Sequence, residues 1–291
     1  MMSPPKADFV YIGYPKAAST FVGRFFSQHP QVSTDRMLLH PLYAPSMADV
    51  SPASAEKPDP TKVHVSINEK VAESICVVGN RDTWNTYKFI PNASDKLTGD
   101  ILLDPTEAAR RVKQAYPSAR VLMMLREQVD WLHSSYKFFM PRMPARQRSF
   151  ADFCATPRGV AYLAAGHYDR TIEAYVATFG ADRVMVLRFE DIRRAPQRLM
   201  TQLCTYLGIA EQPLPESPAN EGSSAQVSRI RRLAPVIDSL PAGVRTAGKA
   251  LLSLLPVSNA IMLSESEIGM LRNKYAESNE KTEKLIAGLK H

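Results

Sequence analysis

"VYIGYPKAAST", Val10 to Thr20, decides how the chain is read. An apolar run ends at Gly13 and Pro15, and small and hydroxyl residues follow Lys16 directly. The pattern predicts a buried strand, a tight loop and the start of a helix. A loop in that place gathers backbone N–H groups that the first helical turn leaves unpaired, and the helix dipole adds partial positive charge. Lys16 contributes a full charge, Ser19 and Thr20 contribute hydroxyls, and Ala17 and Ala18 keep the loop slim. Such a loop suits a phosphate-like anion. An ordinary strand-to-helix turn with an exposed lysine is the plainer alternative. The spelling also differs from the nucleotide-triphosphate pattern G-x-x-x-x-G-K-[ST]. Lys16 comes three residues after Gly13, no second glycine precedes it, and Ala17 stands where the magnesium-binding hydroxyl belongs.

Outward from that loop, "ADFVYIGY" is the first strand, and "STFVGRFFSQHP" has the helical spacing of Phe21, Val22, Phe25 and Phe26 before Pro30 stops it. "KVHVSIN" alternates like a strand. "DPTEAARRVKQAYP" is a helix capped by Asp104 or Thr106, with Pro117 beyond its end. "ARVLMMLR" is a second continuous apolar strand, followed by the helix "EQVDWLHSSYKFF"; "DRVMVLRFEDI" is a third, followed by the amphipathic helix "APQRLMTQLCTYLGI". Solid apolar strands alternating with helices predict an α/β fold, a parallel sheet covered on both faces. The Pro-, Ser- and Ala-rich stretch 44–60 reads as a surface loop, and "SESEIGMLRNKYAESNEKTEKLIAGL" as a polar-faced terminal helix pair. The expected organisation is one domain, with an α/β nucleotide-binding core over residues 7–210 and a mostly helical extension over 211–291.

The chain has 291 residues, 45% of them hydrophobic, enough for one large α/β core. A net charge of +7 favours anionic partners. The charges are scattered, with one short cluster at Arg229, Arg231 and Arg232, so a nucleotide is expected and nucleic acid is not. Cys76, Cys154 and Cys204 are far apart and odd in number, without metal-ligand spacing, which fits a reduced, cytoplasmic compartment and no metal. "MMSPPKAD" lacks the apolar stretch of a leader. The longest apolar segment, Ala247 to Leu263, is broken by Pro256. It reads as a buried or amphipathic helix, so any membrane contact is peripheral, at the inner face.

Arg126 ends the second apolar strand, on the edge where α/β proteins hold ligands. A guanidinium there can grip a phosphate in two places. A structural salt bridge with Glu190 or Asp191 is the alternative.

These stretches together resemble a family: sulfotransferases that use 3′-phosphoadenosine 5′-phosphosulfate (PAPS). "GYPKAAST", Gly13 to Thr20, is similar to their donor loop, including the early lysine. "LREQVDWLHSSY" has the family's arginine and, eight residues later, its serine, as Arg126 and Ser134. Gln128 replaces the usual proline of that motif, and Trp131 the frequent second arginine. The block from Gly166 to Ile209 resembles the family's "G-x-Y … V-L-x-[YF]-E-D-[LI] … P … L-G-[IL]", and "KYAESNEKTEKL" its closing helix in bacterial members. The resemblance implies a P-loop-like parallel sheet flanked by helices, and PAPS as co-substrate. It implies that Lys16, Ala17, Ala18, Ser19 and Thr20 hold the 5′ side of the donor, and that Arg126 with Ser134 holds its 3′-phosphate. Lys16 would neutralise the leaving phosphate.

Many carbohydrate-type members carry "Lys-Glu-x-His" shortly after "H-P", its glutamate serving as base. In "HPQVSTDRMLLHPLY" His40 falls on that histidine, whereas Met37 and Leu38 hold the lysine and glutamate positions. His40 is therefore the expected base, with Asp35, Glu69 and His167 as competitors. Phe21 follows the loop where aryl-type members have tryptophan, so the expected acceptor is a hydroxyl of a glycan or glycolipid. The alternatives are a P-loop-type nucleoside or sugar kinase, or a catalytically idle nucleotide-binding protein of the same fold.

Overall fold

The structure, a computed structural model, describes residues 7–36, 59–67, 75–77, 100–102, 104–140, 143, 149–213 and 262–289. In chain order the elements are β1 (Phe9–Tyr11), α1 (Ser19–Gln28), β2 (Val32–Arg36), β3 (Val63–Ile67), β4 (Ile75–Val77), β5 (Asp100–Leu102), α2 (Pro105–Ala115), β6 (Arg120–Leu125), α3 (Gln128–Phe139), α4 (Phe150–Ala155), α5 (Pro157–Ala165), α6 (Tyr168–Phe179), β7 (Val184–Arg188), α7 (Phe189–Arg194), α8 (Pro196–Leu207) and α9 (Glu265–Ala287).

Five strands form one parallel sheet in the order β2–β3–β1–β6–β7. β4 and β5 form a separate antiparallel pair. From β1 the chain runs to one side of the sheet, and from β6 to the other. Strand order therefore reverses between β1 and β6, and sheets of this kind bind ligands at the carboxyl ends of the strands at that reversal.

The apolar runs bury as both-face-covered strands do: Val10, Tyr11, Val121, Leu122, Met123 and Met124 have no solvent exposure. Ring contacts of Tyr11 with Phe26 and of Phe9 with Tyr206 set α1 and α8 on one face. The hydroxyls of Ser66 and Tyr116, 3.1 Å apart, set the end of α2 on the other. There α6 packs along α2, and α9 packs along α6.

Three expectations change. β2 was not expected: its sequence VSTDR is polar, as an edge strand tolerates. The third apolar strand ends at Arg188, and "FEDI" is already helical in α7. The terminal helix pair is one continuous helix of 23 residues. Ser264 and Glu267 form a capping box at its start, and Glu277–Lys281 and Glu280–Lys284 pairs at 2.7 and 2.6 Å run along its exposed side. The cap of α2 is Asp104, which accepts from the Thr106 amide. Most of the 44–60 loop and of the 211–261 extension, including the cluster at Arg229 to Arg232 and nearly all of the Ala247–Leu263 segment, lies outside the described residues. Among those described, no helix is long and apolar enough to cross a membrane.

Candidate functional site

Beyond β1 the chain stays extended, with the Ile12 and Tyr14 amides donating to the carbonyls of Leu122 and Met124 at 2.9 and 3.0 Å. Gly13 makes that close approach possible: a Cβ there would lie 2.7 Å from the Tyr11 hydroxyl and 3.2 Å from Met124 Cβ. Tyr14 then anchors the loop. Its buried hydroxyl lies 3.1 Å from both the Ala165 carbonyl oxygen and Thr171 Oγ1, and its ring packs on Trp131 and Tyr168.

On this base the loop adopts backbone that L-residues rarely take: Lys16 has φ 66° and Ala18 φ 57°. Left-handed non-glycine residues cost of order 1–3 kcal/mol each and persist where surrounding structure holds them. The loop runs into α1 through Ala18 as N-cap, a residue with no side-chain oxygen to cap the helix. The Phe21 and Val22 amides close on the Ala18 carbonyl at 2.9 and 3.1 Å, so helix geometry leaves the earlier amides, of Ser19 and Thr20, together with the dipole, for an anion. α3, whose start follows Arg126, differs: the Glu127 carboxylate accepts from the Asp130 amide and fills that position. Ala17 is fully buried. The backbone of Ser19 and Thr20 opens α1; their side chains fall outside what is described.

Arg126 stands just past the end of β6, across the reversal from the loop. Its Nη1 donates to the Lys16 carbonyl at 2.9 Å, its Nη2 is 3.9 Å from Asp130, and its guanidinium lies 4.7 Å from the centre of the Phe189 ring. Its Nε is buried without a hydrogen-bond partner among the described residues. Burial pushes its pKa down, against the pull of Asp130 and Glu190. The salt bridge considered with Glu190 takes another form, because that carboxylate accepts the Glu127 amide at 2.9 Å. Tyr168 donates its hydroxyl to the Arg126 carbonyl at 2.7 Å, fixing the backbone from behind.

One face of α3 links the two sides. Asp130, Ser134 and Phe138 recur at four-residue steps and so share a face. Asp130 meets Arg126 at one end, and the Lys16 ammonium lies 4.2 Å over the Phe138 ring at the other. Ser134 is half-buried between them. Phe138, Phe189 and Tyr168 were not singled out from the sequence. Phe138 stands four residues after Ser134, and the other two lie inside the Gly166–Ile209 block, so spacing and motif carried the available signals.

The two departures in the arginine–serine motif have structural partners. Gln128 is buried and donates to Asn279 on α9, and Trp131 is buried against Tyr14, Tyr162 and Tyr168.

The base candidates separate. His40 and Glu69 lie outside the described residues. Asp35 pairs in register with Ser66, which is level with Val10, so it sits four residues, roughly 13 Å, below the level of Tyr14. Its Oδ2 is 3.3 Å from His64 Nε2, and Ser33 Oγ is 3.0 Å from Nδ1 of the same ring. His167 precedes α6 with its ring against Tyr275, and burial lowers its pKa. Among the described residues no group of three or more His, Cys, Asp or Glu side chains could hold a metal ion.

A family model described as "Sulfotransferase family" matches residues 8–213. No curated protein matches the chain. Among solved structures the chain is similar to a sulfotransferase from Alicyclobacillus acidocaldarius, at 20% identity over 84% of this chain and 100% of that one, with a TM-score of 0.49. It is also similar to mouse sulfotransferase SULT7A1 complexed with PAP, at 11% identity over 96% and 86% of the two chains, with a TM-score of 0.47. Sulfotransferase STF9 from Mycobacterium avium gives 12% identity over 96% and 77%, with a TM-score of 0.39.

Proposed function

The chain belongs to the sulfotransferase family, and from that premise we propose that it moves a sulfuryl group from PAPS to a hydroxyl of a carbohydrate or glycolipid acceptor. The observation that supports the reading most is the bond from Arg126 to the Lys16 carbonyl, which joins the two proposed anion holders, the loop after β1 and the end of β6, at the strand reversal. The residues present suit a donor with phosphates at two positions. The start of α1 offers amides for the 5′-phosphate, and Arg126 offers a buried Nε with no partner among the described residues for the 3′-phosphate, with Ser134 further along the same face of α3 as its Asp130 neighbour.

In this reading the amides of Ala18, Ser19 and Thr20 and the hydroxyls of Ser19 and Thr20 bind and orient the 5′ side, while Ala17, whose amide donates to the Tyr14 carbonyl at 3.2 Å, keeps the loop tight beneath it. Lys16 neutralises charge on the oxygen that leaves sulfur, a task of positioning and electrostatics. His40 takes the proton of the acceptor hydroxyl. The reaction is placed in the cytoplasm, at most peripheral to the inner membrane, with no metal and no nucleic acid. A kinase reading fares worse, because the residue after the lysine is the buried Ala17, with no hydroxyl for magnesium.

The test is transfer of labelled sulfate from PAPS to a panel of lipid-linked and capsular-type sugars, beside thermal shifts with nucleotides. Adenosine 3′,5′-bisphosphate at a hundred times its Kd should stabilise the fold by about 2.7 kcal/mol, and ATP with magnesium at the same concentration by less. The reverse order supports a kinase. Bisphosphate binding without transfer to any sugar supports the idle reading.

A further inference from the structure

Lys16 is held at its carbonyl by Arg126, and its ammonium lies over an aromatic face. That face belongs to Phe138, on the same side of α3 as Ser134 and one turn further on. Phe138 is itself braced edge-on by Phe139 at 5.1 Å, and Phe139 is buried between Phe153 and Tyr162. The ring under the ammonium is half-buried and packed against the core, whereas a lysine stem has four rotatable bonds to order.

We propose that Phe138 is a positioning residue for Lys16, holding its ammonium by a cation–π contact at the point where charge develops on the leaving oxygen. The proposal rests on the sulfotransferase reading above and adds a residue to it. An ammonium over a ring face keeps its remaining N–H donors turned away from the ring, so the contact orients it without consuming its hydrogen bonds. Ordering the group before reaction lowers the barrier more than it changes ground-state affinity. Replacing the ring with an aliphatic side chain frees the ammonium but removes neither charge nor volume from the nucleotide clamps.

Two measurements decide it. Reductive ¹³C-methylation keeps lysines charged and makes them visible by NMR, and loss of one resonance in Lys16→Arg assigns Lys16. In the nucleotide-free protein that resonance should be shifted upfield by the ring current, keep the shift in Phe138→Tyr and lose it in Phe138→Leu. Sulfate release from PAPS to water, with no acceptor added, should slow about 2- to 30-fold in Phe138→Leu and recover in Phe138→Tyr, a range set by the strength of cation–π contacts. Calorimetric affinity for adenosine 3′,5′-bisphosphate should stay within about twofold in both variants. A resonance unchanged by Phe138→Leu overturns the proposal, and so does a rate loss matched by an equal loss of bisphosphate affinity. If wild-type protein neither binds bisphosphate nor releases sulfate, the sulfotransferase reading fails, and the resonance still decides whether Phe138 holds Lys16.

Discussion

The guanidinium of Arg126 donates to the carbonyl oxygen of Lys16 at 2.9 Å, so a side chain from the end of β6 grips the backbone of the loop after β1. That one bond crosses the point where strand order reverses. It also helps keep Lys16 at a φ of 66°, a conformation the residue does not favour alone.

Arg126→Ala removes both the loop bond and the donors proposed for the 3′-phosphate. A charge-assisted contact of this kind is worth roughly 1.5–3 kcal/mol. Affinity for adenosine 3′,5′-bisphosphate should fall by that amount, and affinity for adenosine 5′-phosphate much less. Calorimetry with the two ligands measures it; equal losses would assign Arg126 to the loop alone.

Trp131→Arg restores the residue frequent in the family and should not be tolerated here. Trp131 is fully buried among Tyr14, Tyr162 and Tyr168. Losing a core tryptophan costs about 3–5 kcal/mol, and an unpaired buried charge adds to that. Thermal unfolding should show a large drop or no folded protein, whereas Trp131→Phe should remain folded. A near-native Tm for the arginine variant contradicts the packing described.

Much of the fold was legible because burial on both faces writes itself as apolar runs. β1, β6 and β7 stand where "FVY", "RVLMML" and "VMVLR" place them. β2 was not legible, since hydroxyls and an aspartate that bond to neighbours look like loop residues in one dimension. α9 was read as two helices because its polar face hides the long-range contacts that hold it: Gln128 to Asn279, and Tyr275 to the Leu163 carbonyl. At the site, residue types and their places in the pattern named Lys16 and Arg126, and the resemblance to the family named Ser134. Phe138 was missed, because a phenylalanine beside Phe139 reads as ordinary core.

Asp35→Asn should flatten the acid side of the stability profile. Burial pushes the Asp35 carboxyl up, but hydrogen bonds from His64 and Ser66 and the charge of His64 outweigh it, so its pKa lies below the ordinary 3.8. A folded-state pKa below the unfolded one gives stability that is present above the unfolded value and is lost as pH falls through the folded value. Wild type should therefore lose stability more steeply than the variant below about pH 4. Urea unfolding between pH 3 and pH 6 checks this, and parallel profiles would count against the pairing.

Gly13→Ala tests the close approach of the loop to β6. The added Cβ would meet the Tyr11 side chain at 2.7 and 2.9 Å and Met124 Cβ at 3.2 Å. Overpacking of this kind costs typically about 1–3 kcal/mol. Chemical denaturation should show a loss in that range, and nucleotide binding should weaken as the loop shifts. An unchanged midpoint would mean that the side chains yield freely.

The central claim is that Lys16 acts on the transition state of sulfuryl transfer. Removing one electrostatic stabiliser of a developing charge typically costs on the order of a hundredfold or more in kcat. Lys16→Ala should therefore fold, retain substantial binding of adenosine 3′,5′-bisphosphate and lose nearly all turnover. Lys16→Arg should recover little, because a planar guanidinium does not fill the place of a compact ammonium. The direct measurement is single-turnover transfer of labelled sulfate from PAPS beside calorimetric binding for both variants. Loss of turnover with binding retained is the predicted result; near-normal turnover in Lys16→Ala would contradict the account.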